Sequence, residues 1–438
     1  MDCCETDASP RPDRPHTFLL HALSTCAHCG ETREGRVVRR GSTIHTLVYC
    51  AECKKQSEHD THPDADTYLA ELVARAPSEP QAEEVEFKRT TSTCPSCLAL
   101  VEAKVVIRDG QVFFRKHCTA CDETTQAMVS EDADYYVKAY TFAAAGTEPL
   151  HFGAPVEHGC PTDCGTCNDH EQHTCLPIIE VTDHCNLECP ICIVDNQYSW
   201  HMPVEEFRAI IDQLVRAEGQ LESVAISGGE PTSHPHILEL LEAADRPEIG
   251  RVFLITNGLR LGKDRAFAEA IKARGSYVGL QLDGFDAETH EIVRGRDLTA
   301  EKGRALAVLE ELDIPTQIIF VAVKGVNDHQ IGDAVKLFLE KDFILSLNFQ
   351  PVAHTGQGGG KFTHDPMDRL TIPGVIRAME AQSDGALRTS DFHPLPCSHP
   401  QCVSLTYLLR LEDGPHVPFP PSLIHILRSR RPTLCRLQ

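Results

Sequence analysis

The sequence has no run of about eighteen unbroken apolar residues, the least a membrane-spanning helix needs, so no such helix is expected. Positive charge is scarce: 41 Lys and Arg stand against 64 Asp and Glu, a formal charge of −23. A field of that sign repels phosphate backbones and anionic headgroups, which argues against nucleic acid as a partner. The opening MDCCETDASPRPDRP carries no apolar signal core, and the expected location is cytoplasmic. What is present is a chain of 438 residues, long enough for roughly two to four domains. Its 41% hydrophobic content suits ordinary cores and argues against wholesale disorder.

Twenty cysteines in a chain without a secretion signal are expected to stay reduced, so their number points to metal ligation rather than disulfides. They are clustered. Cys26-x-x-Cys29 pairs with Cys50-x-x-Cys53, and Cys94-x-x-Cys97 pairs with Cys118-x-x-Cys121, with twenty residues between the inner cysteines in both copies (30–49 and 98–117). Four thiolates in two such knuckles make a tetrahedral site for Zn²⁺ or a single iron. Between the knuckles of the second copy, Val105–Ile107 and Val112–Phe114 flank Asp109-Gly110, the pattern of a tight hairpin. The expected organisation is a ribbon or rubredoxin-like module over 1–60, an acidic linker over 61–90 with a short helix around 68–76, and a second module over 91–150.

From 177 onward, short apolar runs alternate with amphipathic stretches. Strands are expected at 178–181, 224–227, 252–256, 278–282, 318–323 and 345–349. One helix face gathers Val204, Phe207, Ile210, Ile211 and Leu214, and another Ile331, Ala334, Val335 and Phe338. Uniformly apolar strands separated by helices imply a parallel sheet covered by helices. Six units fit between 177 and 384, so the expected fold class is α/β, a partial (β/α)6 TIM-like barrel with small Cys-rich N-terminal modules.

Directly after the first of these strands comes Cys185-x-x-x-Cys189-x-x-Cys192. Three thiolates can hold three irons of a [4Fe–4S] cluster and leave the fourth open, which separates a reacting site from a closed one. Active sites of parallel barrels sit at the C-terminal strand ends. There stand Ser227-Gly228-Gly229-Glu230-Pro231, Thr256-Asn257-Gly258, Gln281-Leu282-Asp283-Gly284 and Asn348-Phe349-Gln350-Pro351-Val352. Glycines permit close backbone approach to a ligand, and a carboxylate can receive an ammonium group. Taken singly, these are also ordinary turn dipeptides, and Asp283 is also a possible helix cap.

Together, the three-cysteine loop and these strand ends resemble the radical S-adenosylmethionine (radical SAM) superfamily. The resemblance implies that Cys185, Cys189 and Cys192 carry the cluster. It also implies that Gly228, Gly229, Glu230 and Pro231 face the methionine part of SAM, and that Asn257 and Asp283 lie along the cofactor. It further implies reductive cleavage of SAM to methionine and a 5′-deoxyadenosyl radical, with a flavodoxin or ferredoxin as the natural electron donor.

Four more cysteines, Cys160-x-x-x-Cys164-x-x-Cys167 and Cys175, precede the barrel within 151–176. They suit an auxiliary [4Fe–4S] cluster, with a zinc site using His170 or His173 as the alternative. Cys397 and Cys402, in the C-terminal segment 385–438, offer ligands for a second auxiliary cluster. The run from Gly159 to Cys192, with Asp391–Cys397, is similar to a subfamily that includes archaeal tetraether lipid synthase and proteins described as radical SAM pterin-dependent methyltransferases. That family's second N-terminal knuckle often reads Cys-Pro-x-His, and Cys118-Thr-Ala-Cys121 departs from it, leaving Zn or Fe open. The first CxxC repeat looks like an addition. After about 412 the chain turns basic, Leu423-Ile-His-Ile-Leu-Arg-Ser-Arg-Arg431, and resembles nothing in the family; this end reads as a partner-recruiting tail or a truncation.

The leading expectation is an enzyme that joins lipid alkyl chains by C–C bond formation. The alternative is a transferase that methylates a pterin-type or other small substrate. A third reading, of another class, is a non-catalytic iron–sulfur electron carrier or zinc scaffold, which would retain metal but not cleave SAM.

Overall fold

A computed structural model describes residues 17–50, 52–68, 84–141, 149–152, 173–194, 199–354, 362–365, 368–395, 401–410 and 416–419. The chain divides into two compact units, Met1–Gln172 and His173–Gln438.

In the first unit, β1 (Thr17–Thr25), β2 (Thr32–Arg40), β3 (Thr43–Cys50) and β4 (Lys55–His62) form an antiparallel meander. A second meander follows in β5 (Val85–Thr93), β6 (Leu100–Arg108), β7 (Gln111–Cys118) and β8 (Glu123–Ser130). Asp109 and Gly110 both have positive φ (52° and 72°), the geometry of the expected tight turn between β6 and β7. Helix α1 (Ala133–Thr141) closes the second meander. The buried apolar clusters are small: Val37, Ile44 and Ala65 in the first meander, Val105, Val112, Ala133 and Tyr136 in the second. Cores of that size leave a bound metal to supply much of the folding free energy.

The expected module boundaries need moving. β4 runs past residue 60, and β5 begins at Val85, so the limits at 60/61 and 90/91 both cut through strands. Neither strand has an apolar run, because both belong to small sheets with little core and are held by cross-strand pairing. The helix expected around 68–76 starts at 65, and its part beyond 68 lies outside the described residues.

In the second unit, β9 (Ile178–Glu180), β10 (Val224–Ser227), β11 (Val252–Thr256), β12 (Tyr277–Gln281), β13 (Thr316–Ala322) and β14 (Ile344–Pro351) form one parallel sheet in sequential order. The helices between and after them are α2 (Val204–Glu218), α3 (Ile237–Ala244), α4 (Arg265–Ala273), α5 (Ala287–Arg294), α6 (Thr299–Glu311), α7 (Ile331–Glu340) and α8 (Ile372–Gln382). This is the expected open six-stranded barrel, and every expected strand lies within two residues of an observed one. The core lies between sheet and helices, where Val224, Ile226, Leu254, Leu280 and Ile318 meet Phe207, Ile211, Leu241 and Ile271. A fully buried Leu, Ile or Phe of this kind contributes about 1.5–3 kcal/mol. Asp264 and Asp286 cap α4 and α5 through bonds from Phe267 N and Thr289 N, and Gly295 ends α5 at φ 82°.

Two short antiparallel pairs follow, β15 (His393–Pro394) with β16 (Ser404–Leu405), and β17 (Tyr407–Arg410) with β18 (His416–Phe419). The basic stretch 423–431 lies outside the described residues. Among those described, no helix is long and apolar enough to cross a membrane.

Candidate functional site

All four strand-end motifs singled out from the sequence stand at the C-terminal edge of the parallel sheet. The chain leaving β9 carries Cys185, Cys189 and Cys192 across that edge and is fastened to the turn after β10. Gly229 N donates to Thr182 O (2.7 Å), and Glu230 N to His184 O (2.8 Å). Thr182 in turn donates through Oγ1 to Trp200 O (2.8 Å), holding both ends of the cysteine loop. The glycine pair is explained by this contact. A Cβ on Gly228, at φ 133°, would lie 2.2 Å from Thr182 O, and one on Gly229 2.5 Å from His184 O. The two glycines thus admit a close approach of the cysteine strap. Gly228→Ala is expected to lower cluster iron and SAM cleavage together, by tenfold or more on the order of a displaced supporting element. Iron content and 5′-deoxyadenosine yield of the variant check this.

Glu230, only 1% exposed, is gripped by its own chain. Its Oε1 accepts from Thr232 N (3.0 Å), Thr232 Oγ1 (2.6 Å) and Thr256 Oγ1 (2.6 Å), and its Oε2 accepts from Asn257 N (2.8 Å). The carboxylate thus locks the end of β10 to that of β11. Pro231 is buried at the start of the turn that follows. Asn257 extends the lock: its Nδ2 donates to Asn186 Oδ1 (2.7 Å) inside the cysteine loop, and its Oδ1 accepts from Leu259 N (3.0 Å).

Asp283 is fully buried beyond the end of β12 and is not a helix cap, the role Asp286 takes. Its Oδ2 accepts from Arg294 Nε (2.7 Å) and its Oδ1 from Val321 N (2.9 Å). With its carboxamide oxygen turned to the guanidinium, Gln281 accepts from both terminal nitrogens of Arg294 (2.9 and 2.5 Å). Arg294, 4% exposed, also acts on Cys189, its positive charge opposing the rise that burial gives that thiol. Burial by itself would lower the Arg294 pKa, but the Asp283 carboxylate outweighs it and the net shift is upward. Beside this pair Lys302, 2% exposed, donates to Asn257 O (2.7 Å) and Gln281 O (2.5 Å), and burial pulls it down to about 8.

Arg294 and Lys302 were not found from the sequence. Lys302 left a trace, since it falls in step with Ala305 and Leu309 on the buried face of α6. Arg294, eleven residues from its partner on an otherwise ordinary helix, left none.

Cys185 and Cys189 pack among Leu187, Leu259 and Leu298. Burial pushes the Cys185 thiol up to about 11 and raises Cys189 too, while Arg294 pulls Cys189 back. A metal that binds them must displace protons, and the cationic Arg294 favours the thiolate. Among the described residues, the groups of three or more candidate ligands with all ligand atoms within 4.8 Å are the two CxxC quartets; the loop cysteines are not one of them. Their sulfurs are therefore not all within 4.8 Å of one another, unlike the ligands of a single tetrahedral ion.

The quartets are compact. Cys29 Sγ lies 3.7 Å from Cys50 Sγ, Cys97 Sγ 3.6 Å from Cys118 Sγ, and Cys94 Sγ 3.9 Å from Cys121 Sγ. Thiolates at about 2.3 Å from a tetrahedral Zn²⁺ stand about 3.8 Å apart, so both quartets fit one ion each. Cys53 belongs with Cys26, Cys29 and Cys50 in the first. Of the expected auxiliary ligands, Cys160, Cys164, Cys167 and Cys397 lie outside the described residues. Cys175 is half-buried, its Sγ 3.4 Å from His173 Nε2, and Cys402 is exposed.

Residues 179–338 match the family described as the Radical SAM superfamily, and 87–130 match the HMPTM N-terminal zinc ribbon domain. The 7,8-dihydro-6-hydroxymethylpterin dimethyltransferase of Methanocaldococcus jannaschii is 30% identical over 357 residues, covering 76% of this chain and 70% of that protein. The GTP 3′,8-cyclase of Petrotoga mobilis is 29% identical over 192 residues; the match takes in 42% of this chain and 58% of the cyclase. Among solved structures, Streptococcus suis SuiB bound to S-adenosylmethionine matches at a TM-score of 0.40 and 21% identity, over 48% of this chain and 47% of that one. By its match over most of its length to the archaeal pterin dimethyltransferase, and by its own cysteine loop and barrel, the chain belongs to the radical SAM superfamily of enzymes.

Proposed function

We propose that this enzyme holds a [4Fe–4S] cluster on Cys185, Cys189 and Cys192 and methylates a pterin-type small molecule with two SAM and two electrons per methyl, one SAM cleaved to the radical that takes the C–H hydrogen and the other giving up its methyl as S-adenosylhomocysteine leaves. The observation that carries the substrate class is the likeness to the archaeal pterin dimethyltransferase, 30% identical over 76% of this chain and 70% of that protein. When bound, the cluster supplies one electron to the SAM sulfonium, whose cleavage leaves methionine and a 5′-deoxyadenosyl radical.

The chain's own residues contribute position and dryness. The Thr182–Gly229 and His184–Glu230 bonds fix the loop that carries the thiolates. Glu230 and Asn257 tie the ends of β10 and β11 together, so backbone groups beside them are preorganised for a ligand. Leu187, Leu259 and Leu298 exclude water from two of the thiolates. Arg294 offsets their negative charge. Both electrons come from a flavodoxin- or ferredoxin-type donor.

On the sheet face opposite the helix-covered core, Ile255 and Ile319 flank Gly279, where a Cβ would stand 3.3 Å from Ile255 Cγ1 and 3.2 Å from Ile319 Cδ1. That apolar strip would also suit an alkyl chain, which keeps lipid-chain joining as the second reading.

The test is anaerobic reconstitution with iron and sulfide, then incubation with SAM, dithionite and a 7,8-dihydropterin or an isoprenoid lipid. The expected result is 5′-deoxyadenosine together with a pterin heavier by one or more methyl groups. A coupled lipid instead would select the second reading. Iron binding without any 5′-deoxyadenosine would overturn the assignment of the site and favour an electron carrier or scaffold.

A further inference from the structure

The two ribbons are related more closely than their cysteines alone reveal. Cys26, Cys29, Cys50 and Cys53 map onto Cys94, Cys97, Cys118 and Cys121 at one constant step (94 − 26 = 121 − 53 = 68), and β1–β4 map onto β5–β8 at the same step without insertion or deletion. The register breaks coincide, between Phe18 and Leu20 in one and Glu86 and Lys88 in the other, then between Ile44 and His45 and between Val112 and Phe113. The knuckle hydrogen bonds coincide too: Cys26 N to Glu31 O matches Cys94 N to Ala99 O, and His28 N to Cys26 Sγ matches Ser96 N to Cys94 Sγ. The zinc ribbon family match covers the second ribbon, over 87–130.

One position breaks the correspondence in chemistry. Arg33 Nε donates to Cys50 Sγ at 3.4 Å, while its terminal nitrogens reach Thr32 O (3.0 Å) and Glu52 Oε2 (2.8 Å). The counterpart of Arg33 in the second ribbon is Val101, buried and without a donor, and that of Glu52 is Ala120.

We propose that residues 17–68 are a second, separate zinc site, and that Arg33 makes its ion the slower of the two to be attacked and released. Four thiolates around Zn²⁺ carry a net charge of about −2. Their sulfur lone pairs are the nucleophiles through which electrophiles dislodge the metal. A guanidinium hydrogen bond withdraws density from one sulfur and cancels part of the charge. The first ion is thereby shielded, and the second, with Val101 in that place, is left more reactive. This assignment is independent of the substrate.

The full-length protein, purified anaerobically, is counted for zinc and then treated with excess N-ethylmaleimide in the presence of a zinc-chelating dye. Each thiolate adds to the maleimide double bond, the new carbanion takes a proton from water, and Zn²⁺ passes to the dye. Expected are two zinc ions per chain and release in two phases of equal size. Peptide mapping should place the alkylated Cys94, Cys97, Cys118 and Cys121 in the fast phase. Arg33→Met should accelerate the slow phase by about tenfold, the order of one lost charge-assisted hydrogen bond, and leave the fast phase unchanged. Cys26→Ser with Cys29→Ser should remove one zinc ion and the slow phase. One zinc ion per chain, or early alkylation of the first ribbon, would overturn the proposal even if that variant failed to fold. An unchanged slow phase in Arg33→Met would overturn the role of Arg33.

Discussion

Replacing Cys185, Cys189 or Cys192 by Ala removes SAM cleavage, with 5′-deoxyadenosine at the level of a no-enzyme control. Three thiolates are the fewest that hold a four-iron cluster with one open iron, and residues 184–200 contain no fourth cysteine. The loss should exceed the roughly 10–100-fold that removal of a supporting partner costs at a metal site. The ribbons belong to the other compact unit, so their zinc content should not change. Retained cleavage in all three variants would dismiss the site. Loss of ribbon zinc in any of them would show that the ligands have been divided wrongly.

Arg294→Met should be the most destabilising single change in the barrel. Asp283 is 0% and Arg294 4% exposed, so removing the guanidinium strands a carboxylate where water cannot reach it. Breaking a buried pair from one side costs about 3–5 kcal/mol, far more than an exposed pair is worth. Asp283→Asn alone should cost less, because the guanidinium keeps Gln281 as a partner. The double variant should recover part of the loss, a coupling that a double-mutant cycle reads directly. The chain has a single tryptophan, Trp200, and it sits in the barrel unit beside Thr182. Its fluorescence during urea unfolding therefore reports on the barrel without interference from the ribbons. A change under about 0.5 kcal/mol in Arg294→Met, the range of ordinary surface substitutions, would contradict the pairing.

The barrel strands were legible because each is buried on at least one face and spelled in apolar residues. Val224–Ser227 and Val252–Thr256 were placed to the residue. β4, Lys-Gln-Ser-Glu-His-Asp-Thr-His, has no apolar residue at all, and the expected module limit at 60 cuts through it. Its order comes from pairing with β3 and from the knuckle at Cys50 and Cys53, and neither writes a hydrophobic period into the chain.

The sequence by itself determined the cysteine sets, the six-unit barrel and the strand ends at which a site must lie, because ligand spacing and hydrophobic period are local properties. The tertiary structure alone decided what the motif residues touch. Side chains on Gly228 and Gly229 would run into the carbonyls of Thr182 and His184 in the cysteine strap. Glu230 is enclosed by donors of two strand ends, and Asp283 meets an arginine on the following helix whose charge acts on Cys189. Such contacts join residues up to 71 positions apart, as Asn257 and Asn186 are. They exist only once parallel strands have brought their C-terminal ends to one edge.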